Sequence, residues 1–140
     1  MAKLSTKNLE ADFQYQTIQT EGTNAMSTRL EVGIVPSYDI GAVKLYTRAV
    51  VGEKYNTTGN FTYTSIEPGV IVPLGNGLST RIGYRYRDAV DSVKYADRTG
   101  TWRAGVRYDF DKANAVNLRF DRVRGDQDQN IWALSYIRSF

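Results

Sequence analysis

The sequence predicts an all-β chain folded as an eight-stranded antiparallel up-and-down β-barrel, and three observations predict it. Apolar and polar residues alternate with a period of two along most of the chain, and no comparable helical period is present. The alternating runs form an even set of eight. The links between them alternate in character: longer and polar after the first, third, fifth and seventh runs, tight and rich in Pro, Gly, Asn or Asp after the second, fourth and sixth.

The first run, Leu9 to Gln19, sets Leu9, Ala11, Phe13, Tyr15 and Thr17 against Glu10, Asp12, Gln14 and Gln16. The turn-rich stretch Thr20 to Asn24 ends it. The second run, Ser27 to Val35, sets Thr28, Leu30, Val32 and Ile34 against Arg29, Glu31 and Gly33, and Pro36 to Asp39 reads as a turn. In the third, Ile40 to Val51, Val43, Leu45, Thr47, Ala49 and Val51 oppose Lys44, Tyr46 and Arg48, and Gly52 to Asn60 reads as a polar loop. The fourth, Phe61 to Val72, is the least regular. Phe61 and Tyr63 share a parity with Glu67, opposite Thr64, Ile66, Val70 and Val72, a switch that a β-bulge, or an aromatic end beyond the main layer, would explain. Pro73 to Gly77 is a hairpin signal.

The fifth run sets Leu78, Thr80, Ile82, Tyr84 and Tyr86 against Ser79, Arg81, Gly83, Arg85 and Arg87. A charged loop from Asp88 to Gly100 follows. The sixth sets Trp102, Ala104, Val106, Tyr108 and Phe110 against Arg103, Gly105, Arg107 and Asp109. After the turn Asp111 to Asn114, the seventh sets Val116, Leu118 and Phe120 against Asn117, Arg119 and Asp121. The loop Arg124 to Gln129 leads to the eighth, where Trp132, Leu134, Tyr136, Arg138 and Phe140 oppose Ile131, Ala133, Ser135, Ile137 and Ser139. Residues 1–8 are expected as an N-terminal tail and 9–140 as one barrel domain, in line with the size of a single core.

Composition narrows the chemistry. The net charge is +3, and ten of the twelve arginines lie at or after position 81, interleaved with aspartates and aromatics rather than massed in a basic run. That pattern hints at a nucleic-acid-binding barrel and points more strongly to a charged inner face, so no nucleic-acid partner is expected. With no Cys there is no disulfide framework, zinc-thiolate site or thiol nucleophile. With no His the commonest general base and metal ligand is missing, and no P-loop or dinucleotide fingerprint is present. The sequence therefore predicts no enzyme activity, no cofactor and no metal site. The first residues carry no apolar leader segment, and no window approaches the twenty apolar residues of a spanning helix. A transmembrane barrel needs neither, and a leader is expected to be absent from the mature chain.

Two placements of the faces are open. A soluble barrel of the calycin kind would turn the apolar row inward around a small apolar ligand and leave the arginines in water. A transmembrane β-barrel would turn the apolar row to lipid and the charged row to its lumen. The charged row is too charged to fill a soluble core, and the apolar row is continuous over nearly all eight runs, which favours the second. The outward aromatics are then Tyr84, Tyr86, Trp102, Tyr108, Phe110, Phe120, Trp132, Tyr136 and Phe140, whose amphipathic rings suit an interface.

Trp132, Leu134, Tyr136 and the terminal Phe140 resemble the last strand of bacterial outer-membrane β-barrel proteins. That resemblance implies an outer-membrane location, termini on the periplasmic side and longer loops outside. Arg138 on the same face can snorkel to the interface. Gly83-Tyr84-Arg85-Tyr86-Arg87 and Thr101-Trp102-Arg103-Ala104-Gly105-Val106-Arg107-Tyr108 are similar to arginine-lined strands of the oligogalacturonate-specific porin family. The implied partners, beside the lipid bilayer, are small anionic solutes or acidic oligosaccharides.

By parity the lumen-lining set is Glu10, Asp12, Arg29, Glu31, Lys44, Arg48, Glu67, Arg81, Arg85, Arg103, Arg107, Asp109, Arg119 and Asp121. An eight-stranded barrel is only wide enough for side chains to fill. The two signs nearly balance, as an internal ion-pair network requires. The same residues could instead line a narrow anion-preferring path. Gly100-Thr101-Trp102 matches the G-x-W of lipocalins, but that signature belongs to a first strand and here falls on the sixth run. Arg124-Gly125-Asp126 is a tripeptide common by chance, and the spacing of Asp88, Asp91, Asp97, Asp126 and Asp128 fits no calcium loop.

Overall fold

A computed structural model describes residues 2–5, 8–19, 26–56, 59–90, 98–126 and 128–138. The alternation does what it predicts. The described residues form one antiparallel up-and-down sheet in chain order: β1 (Ala2–Ser5), β2 (Leu9–Gln19), β3 (Met26–Ile40), β4 (Val43–Asn56), β5 (Gly59–Gly75), β6 (Leu78–Ala89), β7 (Thr99–Asp109), β8 (Asn114–Gly125) and β9 (Gln129–Arg138). Its eight long strands curl into a half-barrel. The curl is visible in side-chain reach. Arg48 on β4 bonds Asp12 on β2, Tyr63 on β5 bonds Glu31 on β3, and Arg103 on β7 bonds Glu67 on β5, each across an intervening strand. Strands two apart lie roughly 9.6 Å apart on a flat sheet, so concavity helps these chains meet.

The sheet does not close on itself. Among the described residues β9 contacts β8 alone and β1 contacts β2 alone. Residues 2–5, within the stretch expected as a tail, lie on one outer edge. They form a ninth strand, and its pairing from Ala2↔Phe13 to Ser5↔Glu10 covers part of the outer edge of β2. With an odd number of antiparallel strands, β1 and β9 also run in the same direction.

Several strands outrun the apolar window that revealed them. Pro36 to Asp39 is strand rather than turn, and the β3–β4 link is Gly41-Ala42, with Gly41 at φ 59°. Pro36 offers no N–H, so the β3–β4 ladder skips Val35 and Pro36, and the Ser37 amide donates to the Asn8 carbonyl at 2.9 Å instead. Likewise β4 continues to Asn56 through the expected loop. No bulge separates Phe61 and Tyr63 from the rest of β5; they face inward with Glu67, and the one register shift between β5 and β6 lies at Pro73/Gly75. The β5–β6 turn is Asn76-Gly77 with φ of 53° and 78°, the two positive values a type I′ hairpin demands. The β7–β8 turn is held by Asp111, whose Oδ1 accepts from the backbone amides of Ala113 (2.7 Å) and Asn114 (2.9 Å).

Candidate functional site: the charged concave face

The ladders carry one parity to each face. The rows Asp12↔Gly33↔Val50↔Ser65↔Arg87↔Thr99 and Tyr46↔Gly69↔Gly83↔Arg103↔Asp121 lie on the concave side. All fourteen residues of the predicted lumen set share it. The opposite rows carry the exposed apolar side chains, among them Trp102 (60% exposed), Trp132 (70%) and Leu134 (75%).

Two tyrosines shape the concave face. Tyr46 lies across Gly69 and Gly83, its register partners on β5 and β6, where any Cβ would overlap its ring or hydroxyl. Tyr63 lies over Gly52 in the same way. Glycines in register opposite an inward aromatic let the ring lie flat and spend its hydroxyl on a carboxylate.

The first cluster gathers on β2, β3, β4 and β5. Arg48 donates through Nη2 to Asp12 Oδ1 (2.8 Å) and through Nε to Asp12 Oδ2 (3.2 Å), and Nη2 also reaches Glu31 Oε2 at 3.4 Å. The Tyr63 hydroxyl donates to Glu31 Oε1 at 2.6 Å, and Arg29 approaches the same oxygen at 3.9 Å. Arg29 and Arg87 stand at the Tyr63 ring, 5.8 and 5.4 Å from its centroid. Two carboxylates meet two paired arginines here, with Arg87 a third at the Tyr63 ring.

The second cluster lies on β4 to β8. Glu67, 1% exposed, accepts Arg103 Nη1 at 2.6 Å, the Tyr46 hydroxyl at 3.0 Å and Arg81 Nη2 at 3.3 Å. Asp121, 2% exposed, takes a two-point bond from Arg103 (3.0 and 3.2 Å), and Arg119 Nε lies 3.3 Å away as an ion pair without hydrogen-bond alignment. Arg81 also stacks on Tyr46 at 4.0 Å. Arg85 stands opposite Glu67 in the strand register, yet both oxygens of that carboxylate are already taken by other partners. Two carboxylates therefore face four arginines, Arg81, Arg85, Arg103 and Arg119.

Of the remaining predicted residues, Lys44 pairs with Asp39 at 3.8 Å and Arg107 with Asp109 at 2.7 Å near the tight-turn end. Glu10 faces the same side, opposite Val35. Among the outward aromatics, Tyr84 packs on Trp102 (5.0 Å between centroids), Tyr108 on Phe110 (4.9 Å) and Phe120 on Trp132 (4.7 Å). Tyr86 donates to Asp88 at 3.3 Å and Tyr136 to Asn114. Phe140 lies outside the described residues, as do Asp91 and Asp97. The loop aspartates within them are neutralised by arginine: Asp88 by Arg98, and Asp128 by Arg122 and Arg124, while Asp126 accepts the Arg98 amide. Among the described residues no three acidic groups gather to hold a metal ion.

Parity reasoning did not single out Tyr46, Tyr63, Arg87, Thr99 and Thr101. The signal was there for the tyrosines, each in the charged row with a glycine in register, but register between strands is a property of the pair and not of either sequence run.

No known protein family matches this sequence, and no curated protein matches it. Among solved structures the chain is similar to the anion-selective porin from Comamonas acidovorans, with 16% identity and a TM-score of 0.47 over 98% of this chain and 43% of that one. The chain thus spans less than half of that porin's length.

Proposed function

We propose that this chain forms the wall of a porin-like β-barrel in a bacterial outer membrane, with its concave face lining a path that favours small anions. One observation carries the reading: the position of charge on the convex face. Outward-facing charges in the described strands are Glu53, Asp88, Arg122, Arg124 and Arg138, each within a few residues of a strand end, whereas inward charges occur along the strands. The outward row of β3 runs from Thr28 to Ile40 with no charge. At about 3.4 Å per residue and a tilt of about 40°, that row spans roughly 31 Å of bilayer normal, enough for an apolar band of about 25 Å. Aromatics stand towards both ends of this band, Tyr84, Tyr86 and Trp102 towards the longer loops and Tyr38, Tyr108 and Tyr136 towards the tight turns.

The calycin-like alternative needs the apolar row inside, and here that row is the exposed one. The cation excess of the second cluster supports an anion preference, and carboxylate-bearing oligosaccharides are the larger solutes it suits. Lipid tolerates no open sheet edge, so the free edges of β1 and β9 must be paired in the assembled barrel. The test is refolding from urea into lipid vesicles and planar bilayers. The expected results are a heat-modifiable band on gels and conductance whose reversal potential in a salt gradient follows the anion. A monodisperse, folded protein in plain buffer that never inserts would overturn the reading.

A further inference from the structure

Several buried polar atoms of the concave face have no hydrogen-bond partner, the Nε of Arg29, Arg81 and Arg119 among them, and three adjoin one another: the Nε of Arg85 and the hydroxyls of Thr99 and Thr101. Arg85 makes no ion pair among the described residues, and its buried Nε has no hydrogen-bond partner. Its register partner on β7 is Thr101, 0% exposed, and the next inward pair along the ladder is Arg87 with Thr99, 1% exposed. The hydroxyls of Thr99 and Thr101 are both buried and neither donates nor accepts a hydrogen bond. Buried polar groups are nearly always satisfied, so three unsatisfied neighbours on two adjacent strands require an explanation. The neighbouring carboxylates do not supply one, because Glu67 and Asp121 are committed to Arg81, Arg103, Arg119 and Tyr46.

We infer that Arg85, Thr99 and Thr101 form a binding site for a single carboxylate group on the lumen wall. Arg85, half-buried as a residue, is the entrance and the two hydroxyls are the floor. A carboxylate is planar and presents two oxygens that match the guanidinium fork, and its remaining lone pairs accept from the threonine hydroxyls. It also offsets the surplus of arginine over carboxylate on β6 to β8. The inference rests on the porin-like reading only in taking the concave face as open to water.

Acetate is the probe. In the detergent-refolded chain with 15N-labelled arginine, the Arg85 Nε–H resonance, assigned by its loss in Arg85→Lys, is followed as sodium acetate is added at constant ionic strength. The expected result is a saturable shift with acetate and none with chloride. Thr101→Val, close in shape and well suited to a strand, should weaken acetate about tenfold, the loss of one hydrogen bond to a charged group. Thr101→Ser should restore it, and all variants should keep the gel mobility of the folded parent. A shift that grows linearly, that chloride reproduces, or that Thr101→Val leaves unchanged would overturn the site. Bilayer conductance is scored separately. Saturable acetate binding without conductance removes the porin reading and leaves the site, and conductance without saturable binding does the reverse.

Discussion

Glu67→Gln is the sharpest perturbation of the charge network. The side chain keeps its shape and loses its charge at a position 1% exposed. In the parent, its oxygens accept from Arg103 at 2.6 Å, Tyr46 at 3.0 Å and Arg81 at 3.3 Å. A hydrogen bond to a charged group contributes about 1.5–3 kcal/mol and a neutral one about 0.5–1.5, so uncharging the Arg103 bond costs about 1–1.5 kcal/mol. The new amide NH2 then faces donors, and one buried donor left unmatched adds about 1–3 kcal/mol. Arg81 is 41% exposed, so its share is screened and stays below about 0.5 kcal/mol. Arg103 keeps both bonds to Asp121, which caps the loss. The expected cost is about 3 kcal/mol, a folding constant lower by roughly 150-fold. In a urea titration of the vesicle-refolded protein, read by gel mobility, that is a midpoint shift of roughly 1–3 M. Arg81→Gln should move the midpoint by less than a quarter as much. If Glu67→Gln stays within about 0.5 kcal/mol of the parent, or Arg81→Gln is as costly, the cluster is solvated rather than closed and the reasoning fails.

Three further outcomes follow from the same geometry. Gly83→Ala drives a Cβ into the Tyr46 hydroxyl and should cost about 1–3 kcal/mol of unfolding free energy, a penalty that the Tyr46→Phe background should largely relieve because the clash is with the oxygen. Leu134→Arg, on the exposed convex face, should weaken folding into bilayers by about 2–4 kcal/mol; unchanged stability in vesicles would argue against lipid on that face. In the β7–β8 turn, the amides of Ala113 and Asn114 and the Asn114 side chain hold the Asp111 carboxyl below its ordinary value, the Asn114 side chain contributing most. A depressed folded value means the stabilisation is complete above the ordinary aspartate pKa of about 3.9 and is lost as pH falls through the lower folded value. A carboxyl-carbon NMR titration should place the Asp111 midpoint below the ordinary one, and Asp111→Ala should lack that acid-side loss.

The alternation in the sequence was enough to place every long strand and to sort charge from apolar surface, because side-chain direction in a strand depends on nothing beyond residue parity. It fell short at strand ends. Asp39, Glu53 and Lys54 read as loop by polarity, yet their backbones pair because the neighbouring strand continues beside them. Parity also put Arg85, Arg103, Arg119, Glu67 and Asp121 on one face without saying which would pair. That was decided by curvature, which brings side chains two strands apart within bonding distance and lets Arg103 claim both carboxylates while Arg85 is left with none. The outer edge of β2 is likewise a tertiary outcome, since Ala2–Ser5 pair along part of it. The sequence by itself determined which residues face each side; the tertiary structure decided which of them meet, because contacts across a curled sheet depend on register and curvature, and neither is encoded in any single strand.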